Sequence, residues 1–368
     1  IYVYIQKRGF VLKGKEIRKK LVQRYLLDGF NGMTVGLFCT LIVGLMLKQI
    51  GSFFDGSVET FLVGVGTLAS VATGGGIGAA TAYVIKMPRM VIFSSFITGM
   101  IGANASAFVN GTLIVDGTVL LTGPGDPLGA FLAALVGMEL GNLVSGKTRV
   151  DIIVTPMVTM VTGGCIGVWI GPTLAEGMNQ LGEWIQVATT LQPFWMGMIL
   201  SVVMGLVLTG PLSSAALSII LGLSGLPAGA ATVGCASQMI GFAVASFREN
   251  KWDGFFAQGF GTSMLQMSNI VKNPLIWIPP TLTAAILGPL STMVFKMENN
   301  PAGGGMGTSG LVGQFMTWQT MAGTRSSGVL LAEIILLHFV LPAVLTLIFS
   351  EFMRKKGWIA QGDMKLDI

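Results

Sequence analysis

Residues 329 to 352 read VLLAEIILLHFVLPAVLTLIFSEF, a run that is almost wholly apolar. A segment of about 20 mostly apolar residues is long enough to cross the hydrocarbon core of a bilayer as an α-helix. The rest of the chain continues this pattern, since hydrophobic residues make up 52% of the 368 positions and charged residues only 11%. An ordinary soluble protein carries about a quarter charged residues. The composition therefore predicts an all-α, polytopic membrane helical bundle.

Ten segments are candidate membrane spans. They lie near residues 33–50, 60–85, 90–108, 128–145, 150–171, 193–217, 228–247, 254–271, 275–296 and 329–352. With this threading most of the 22 lysines and arginines fall on the side of the basic amino-terminal segment, so the positive-inside rule predicts a multi-pass plasma-membrane protein with both termini cytoplasmic. Arg248 and Lys251 fit the threading least well, because they flank a short loop on the opposite side.

Charge and hydropathy divide the chain into four parts. Residues 1–28 interleave lysines and arginines with apolar residues, which is typical of a basic amphipathic helix on an anionic membrane surface. A nucleic-acid-binding arm is the alternative, but no nucleic-acid-binding module accompanies it. Residues 29–191 and 192–353 are the predicted first and second membrane repeats, and residues 354–368 are the predicted cytoplasmic tail.

Short stretches recur in the two halves. Gly44 matches Gly205, and VDIIVTPMV at residues 150–158 resembles AEIILLHFV at residues 332–340. Five spans in each half would invert the second copy relative to the first, a plan common in secondary transporters, whose solute sites lie where the repeats meet. We therefore expect an inverted 5+5 repeat with a solute site at the interface of the two repeats.

The strongest candidate for that site is the polar, glycine-rich run ENNPAGGGMGTSG at residues 298–310. Asparagine amides both donate and accept hydrogen bonds, and glycines expose backbone N–H groups, which together complement a polyol. Bare backbone cannot face lipid, so this run and residues 110–127 are candidate re-entrant segments, with a flexible extracellular loop as the alternative for the run. The predicted solute ligands here are Asn299, Asn300, Gly303, Gly304, Gly305, Thr308, Ser309 and Gln314.

Further solute ligands are predicted from glycines and amides inside apolar segments. The glycine cluster at residues 73–78 lacks the GK[ST] ending of a P-loop, so it either packs helices tightly or lines the solute path as a broken helix. The additional candidates are Thr73, Gly74, Gly75, Asn104, Gln266 and Asn269. Glu139 and Glu298 are the candidate coupling carboxylates, because a charge at membrane depth is costly and usually functional.

Metal-dependent and enzymatic chemistry has little support in the sequence. Cys39, Cys165 and Cys235 are widely spaced and His338 is the single histidine, so neither a disulfide framework nor a metal site is expected. No nucleophile–base pair stands out. The sequence therefore predicts no cofactor and no catalytic residue.

The run at residues 298–310, together with VATGGGIGAATAYVIKMPRM at residues 71–90 and TSMLQMSN at residues 262–269, resembles the stand-alone EIIC-like membrane proteins of the phosphotransferase system. This group includes the perfringolysin O regulators. The resemblance extends over nearly the whole chain, and it implies a homodimeric membrane domain that binds a sugar and works with a separate EIIB-type protein. The GITEP-type motif of the glucose and lactose branches is absent, so no role is carried over from it to Glu298.

Two functions fit these features. The first is transport of a sugar or similar small polar solute through the lipid bilayer by an EIIC-like permease, with no nucleic-acid partner. The second is a membrane sensor that binds a solute and regulates gene or toxin expression without net transport. A membrane-bound enzyme is the least favoured alternative.

Overall fold

The structure is a computed structural model that describes residues 20–121 and 123–366. These ranges are predominantly helical, because a helix satisfies its own backbone hydrogen bonds in lipid. A short antiparallel hairpin, β1 (Ile114–Val115) and β2 (Thr118–Val119), interrupts the helices. The helices are α1 (Val22–Gly51), α2 (Ser57–Val71), α3 (Thr73–Val84), α4 (Arg89–Ala103), α5 (Ala105–Val109), α6 (Pro127–Val144), α7 (Asp151–Thr189), α8 (Pro193–Thr209), α9 (Ser214–Ile220), α10 (Leu226–Ala245), α11 (Phe247–Phe256), α12 (Met267–Lys272), α13 (Pro274–Phe295), α14 (Pro301–Gly304), α15 (Val312–Met321) and α16 (Ser327–Lys355).

Helix α1 extends across the predicted boundary between the surface helix, residues 1–28, and the first repeat, residues 29–191. α1 is continuous from Val22 to Gly51, so the predicted division between residues 28 and 29 falls inside it. Residues 1–19, which carry most of the predicted amphipathic surface helix, lie outside the described residues. The surface helix stays a prediction.

The chain forms two compact units, each assembled from two stretches of sequence. Among the described residues, unit 1 contains residues 20–40, 71–121 and 123–174, and unit 2 contains residues 41–70 and 175–366. The predicted first repeat, residues 29–191, differs from this grouping in two places, because residues 41–70 and 175–191 belong to unit 2.

Glycine contacts hold the helices of unit 1 together. The first part of α1 packs on α3, α3 packs on α4, and α4 packs on α6. A Cβ atom on Gly36 would lie 2.4 Å from the carbonyl oxygen of Gly76, and one on Gly102 would lie 2.3 Å from that of Gly129. Backbones can approach this closely only where the side chain is absent, so the glycines of residues 73–78 serve helix packing.

Unit 2 is built around α10. Helices α8, α13 and α16 pack against it, and 94% of its membrane-span window is buried. A Cβ atom on Gly234 of α10 would lie 1.9 Å from the carbonyl oxygen of Ser201 in α8. Gly197 of α8 makes a similar close contact with Gly288 of α13. Small residues therefore set the spacing of the three helices.

Replacing Gly234 with alanine is expected to lower the stability of the protein by about 1–3 kcal/mol, because the added methyl group must push α8 and α10 apart. The thermal unfolding midpoint of the purified protein in detergent measures this loss. Gly64→Ala in α2 is the matched control, since its Cβ would meet no atom of the described residues within 4 Å and alanine is the better helix former. Equal midpoints for the two variants would show that the α8–α10 contact is not tight.

Six helices in the described residues are long and apolar enough to cross a membrane, and α2 with α3 would add a seventh if they form one bent span. The sequence predicts ten. Two of the remaining candidates are the shorter apolar helices α4, with 15 residues, and α8, with 17. At 1.5 Å per residue a helix of this length spans about 22–26 Å, less than the hydrocarbon core of about 30 Å. The ten-span count and the inverted repeat stay predictions.

The candidate span at residues 254–271 does not form one helix. It is divided into the end of α11, a π-helical turn at Ala257–Gly261, a 3₁₀ turn at Ser263–Gln266 and the start of α12. Three glycines and two glutamines in this stretch weaken a continuous helix and offer competing hydrogen bonds.

Large apolar side chains are exposed in both units. Phe93 and Leu68 are each 74% exposed, and Trp169 is 76% exposed. A soluble protein that exposed many such side chains would associate, whereas a membrane bundle turns them towards lipid. The exposed apolar side chains therefore agree with the membrane protein that the apolar composition predicts.

Residues 110–121 differ from their predicted form. They contain the β1–β2 hairpin, in which the side chains of both strands are exposed. A re-entrant element needs its backbone packed within protein, and this hairpin does not provide that packing.

Candidate functional site

The polar segment, defined as residues 298–310, packs against the helices of unit 2. Residues 303–310 are buried. Neighbouring hydroxyl groups bind two of its carbonyl oxygens: Ser214 Oγ donates to that of Gly305 at 2.6 Å, and Thr232 Oγ1 donates to that of Gly303 at 3.3 Å. A non-helical backbone whose polar groups are satisfied by protein can lie at membrane depth.

Asn299 ties the polar segment to α10 and α15. Its side chain is fully buried, and its Nδ2 donates to Thr232 Oγ1 at 2.7 Å and to the carbonyl oxygen of Gly313 at 3.1 Å. Its Oδ1 accepts a hydrogen bond from the backbone N–H of Asn300 at 2.8 Å. Both Nδ2 hydrogens are therefore engaged in holding the segment, so a solute could bind to the Asn299 nitrogen only if one of these bonds broke.

Asn300 caps the short helix α14. Its Oδ1 accepts from the backbone N–H groups of Ala302 and Gly303, each at 3.1 Å, as expected for an asparagine that precedes a proline at the first helical position. The glycines that follow serve close packing. A Cβ on Gly304 would lie 2.5 Å from Ser218 Oγ, and one on Gly305 would lie 2.1 Å from the carbonyl oxygen of Ser214.

Thr308 and Ser309 lie at the buried end of the polar segment. Thr308 Oγ1 donates to the carbonyl oxygen of Gly259 at 2.5 Å. Ser309 is only 4% exposed, and its Oγ has no hydrogen-bond partner among the described residues. Buried polar atoms usually have partners, so this hydroxyl is a candidate ligand for a polar molecule.

Gln314 and His338 form a buried hydrogen-bonded pair between α15 and α16. Gln314 Nε2 lies 3.1 Å from His338 Nδ1, and the residues are 8% and 0% exposed. The two other polar atoms of the pair, Gln314 Oε1 and His338 Nε2, have no hydrogen-bond partner in the part of the chain that the structure describes. Sequence analysis predicted Gln314 but not His338, although a histidine inside an apolar span is itself a signal.

The pair has a definite chemistry. An amide nitrogen only donates, so in this orientation Nδ1 of the neutral imidazole accepts and the ring proton is on Nε2. The remaining donor is then His338 Nε2–H and the remaining acceptor is Gln314 Oε1. Turning the amide by 180° exchanges the roles, and the pair still offers at least one donor and one acceptor. A hydroxyl group, which both donates and accepts, complements either arrangement.

Gln266 and Asn269 are buried but bind protein groups. Gln266 Nε2 donates to Gln258 Oε1 at 2.8 Å and to the carbonyl oxygen of Met364 at 3.0 Å. Asn269 Nδ2 donates to Gln266 Oε1 at 2.9 Å and to the carbonyl oxygen of Lys365 at 2.8 Å. Their partners therefore include backbone from the end of the described chain, a contact that the amide pattern alone did not indicate.

The candidate ligands in unit 1 lie in helix contacts. Thr73 is fully buried at the start of α3, and Cβ atoms on Gly74 and Gly75 would lie 2.5 Å from Ala103 Cβ and 2.4 Å from the ring of Phe96. Asn104 follows α4, and its Nδ2 donates to the carbonyl oxygen of Met100 at 2.9 Å. These contacts match the tight-packing alternative for the glycine cluster.

The two candidate coupling carboxylates lie in different environments. Glu139 is paired with Arg24, whose Nη2 and Nε donate to Glu139 Oε1 at 2.8 and 3.0 Å. The guanidinium group neutralises the carboxylate inside unit 1, which lowers the cost of placing Glu139 in a helix that is apolar enough to span the membrane. Glu298 is exposed at the start of the polar segment.

Metal-binding geometry does not occur in the described ranges, since they contain no group of three or more His, Cys, Asp or Glu side chains that could hold an ion.

These features define a multi-pass helical membrane protein with a buried polar region in one unit. The family model described as "Phosphotransferase system, EIIC" matches residues 27–366, nearly the whole chain. The chain belongs to this family, which confirms the resemblance predicted from the sequence. No curated protein matches the chain. No solved structure matches it either.

Proposed function

We propose that this protein is a permease that carries a sugar or a similar small polar solute across the membrane, and that unit 2 binds the solute at Gln314 and His338. The family implies membrane sugar transport. The observation that carries the site assignment is the buried pair, whose Gln314 Oε1 and His338 Nε2 have no partner among the described residues. A solute hydroxyl that accepts from one and donates to the other would satisfy both.

The polar segment supports the same assignment. It leads directly into α15, which carries Gln314, and Ser309 near its end offers a further unpartnered hydroxyl. Gly303, Gly304, Gly305, Asn299, Asn300 and Thr308 hold this backbone in place, because their contacts are with protein groups. We assign the direct solute contacts to Ser309, Gln314 and His338, and the support of the site to the rest of the segment.

Short sequence matches between the two halves of the chain support a proposed internal duplication. Leu135-Val136-Gly137 in unit 1 and Leu311-Val312-Gly313 in unit 2 are identical and 176 positions apart (311 − 135), and Thr148-Arg149 and Thr324-Arg325 have the same separation (324 − 148). Asp126-Pro127 and Asn300-Pro301 each begin a helix with the first side chain as its cap. We propose that residues 29–191 and 192–353 are two copies of one ancestral repeat, in the inverted topology common among secondary transporters.

The proposed cellular context follows from charge and family. The excess of lysine and arginine on one side of the threading favours cytoplasmic termini. The family implies a sugar substrate and a possible EIIB-type partner, which would act on the solute as a separate protein. We also propose that the protein is a homodimer, as the family resemblance implies.

Uptake by proteoliposomes tests the proposed function. Purified protein is reconstituted and offered radiolabelled sugars, polyols, nucleosides and carboxylates, with protein-free liposomes as the control. We expect saturable uptake of at least one hydroxyl-rich solute, and competition by the same solute unlabelled. Saturable binding without uptake would instead identify a sensor, and neither binding nor uptake across the panel would contradict both functions.

A further inference from the structure

The last described residues, 357–366, lie against a set of side-chain amides in unit 2. We call residues 357–366 the tail segment, and these amides together with the Glu249 carboxylate the clamp. The amides donate to tail carbonyl oxygens: Asn250 Nδ2 and Gln266 Nε2 to Met364 at 2.8 and 3.0 Å, Asn269 Nδ2 to Lys365 at 2.8 Å, and Asn273 Nδ2 to Trp358 at 3.2 Å. These contacts recognise peptide backbone rather than particular side chains.

The clamp also accepts hydrogen bonds from the tail segment. Asn250 Oδ1 accepts from the backbone N–H of Leu366 at 2.8 Å, so one side chain binds both a donor and an acceptor of the tail. Glu249 Oε1 accepts from the backbone N–H of Gly362 at 2.9 Å and pairs with Arg354 at 3.2 Å. The Glu249 and Arg354 side chains are 2% and 11% exposed, so this ion pair is largely shielded from water. Side chains that pair with both the donors and the acceptors of a backbone can hold an extended peptide.

Apolar side chains complete the contact. Ile359 and Met364 are 2% and 1% exposed, and they belong to one cluster with Phe242, Ile270 and Ile276. The tail segment is thus held by apolar burial as well as by hydrogen bonds.

Buried hydrogen bonds, joined by one step along the backbone, connect the clamp with the polar segment. Asn269 donates to Gln266 at 2.9 Å, and Gln266 donates to Gln258 at 2.8 Å. Gln258 is followed by Gly259 in the π-helical turn, and Gly259 accepts the hydrogen bond from Thr308 of the polar segment. π-helical turns inside α-helical proteins frequently occur at functional sites.

We propose that the clamp is a peptide-binding site occupied in cis by the tail segment. Release of the tail segment then opens a polar route through unit 2 from the clamp to the solute site. Without the tail, the clamp amides need new partners, and water or a solute hydroxyl can supply the same donors and acceptors. This inference rests on the proposed function, because it assigns the tail the role of a gate on that solute route.

A reversible cross-link between Asn273→Cys and Asp363→Cys tests the gate. Asn273 Nδ2 and Asp363 Oδ2 are 2.7 Å apart, so a short bifunctional methanethiosulfonate can join cysteines at these positions. The background carries Cys39→Ser and Cys165→Ser because both cysteines are exposed. We expect cross-linking to lower uptake at least tenfold and reductant to restore it.

The matched control is a cross-link elsewhere in unit 2. Arg248→Cys and Glu351→Cys replace a surface ion pair with a 3.1 Å separation that does not involve the tail segment. Cross-linking there is expected to leave uptake unchanged. Unchanged uptake with the tail locked, or an equal loss in the control, would overturn the gate.

A second measurement tests tail release even if no variant transports any solute, and so separates failure of the gate from failure of the proposed function. Ile270→Cys places a thiol in the apolar cluster that includes Ile359 and Met364. Asn250→Ala removes two clamp bonds and is expected to speed reaction of this thiol with a hydrophilic reagent at least tenfold. Cys235, which is fully buried in α10, should stay unreactive. An unchanged rate at residue 270 contradicts a releasable tail.

Discussion

Replacing Gln314 with leucine is expected to weaken binding of the transported solute by about tenfold to a hundredfold. Leucine removes the acceptor Oε1 that we assign to a solute hydroxyl, and it leaves His338 Nδ1 without its hydrogen bond. Removing one partner from a buried hydrogen bond costs about 1–3 kcal/mol, which corresponds to this loss of affinity. Isothermal titration or equilibrium binding of the solute identified by uptake gives the dissociation constant.

The control for this prediction lies on the same helix. Gln319 of α15 is exposed, so Gln319→Leu makes the same chemical change away from the buried pair. We expect it to retain the affinity of the parent. If Gln314→Leu binds as tightly as Gln319→Leu, Gln314 does not contact the solute.

Asn299→Ala is expected to cost about 2–4 kcal/mol of stability. The substitution removes three hydrogen bonds from a fully buried site and leaves Thr232, Gly313 and the backbone N–H of Asn300 to find other partners. Thermal unfolding in detergent should show a large decrease in the midpoint. Solute binding should fall with it, because the polar segment loses its attachment to α10.

Asn300→Ala provides the comparison, because it is the same substitution one residue along the chain. Asn300 caps the four-residue helix α14 and is only partly buried, so its loss is expected to cost about 1 kcal/mol. A stability loss at Asn300 equal to or larger than that at Asn299 would contradict the roles assigned to the two amides.

Sequence patterns predicted the class of fold and the burial of the polar segment for clear physical reasons. An apolar run such as residues 329–352 is unfavourable in water, and in the structure it lies within the single long helix α16. The run at residues 298–310 carries too much polar backbone to face lipid, and residues 303–310 are indeed buried against hydroxyl-bearing helices. Both predictions depend on the cost of moving polar groups out of water, and the local composition shows how many polar groups a segment contains.

The partners of the buried amides could not be predicted, because they depend on tertiary contacts between distant residues. Gln266 and Asn269 bind the tail segment, almost a hundred positions away, and Asn299 binds Thr232. An amide in an apolar segment needs a partner, but the sequence does not specify whether protein or solute supplies it.

The ion pair between Arg24 and Glu139 could not be predicted from the sequence either. The sequence predicts Glu139 as a coupling carboxylate because it lies in an apolar segment, and the structure adds that it is paired with Arg24. Arg24 itself was assigned to a surface helix on the basis of its basic neighbours. An ion pair between residues 115 positions apart leaves no local pattern in the sequence.

The most direct test of the solute site is a double-mutant cycle of Gln314→Leu and His338→Phe, measured as equilibrium affinity for the transported solute. Both residues belong to one hydrogen-bonded pair, so we predict that each single variant weakens binding and that the double variant loses less than the sum of the two losses. Affinities equal to that of the parent in both single variants would contradict the central claim that this pair binds the solute.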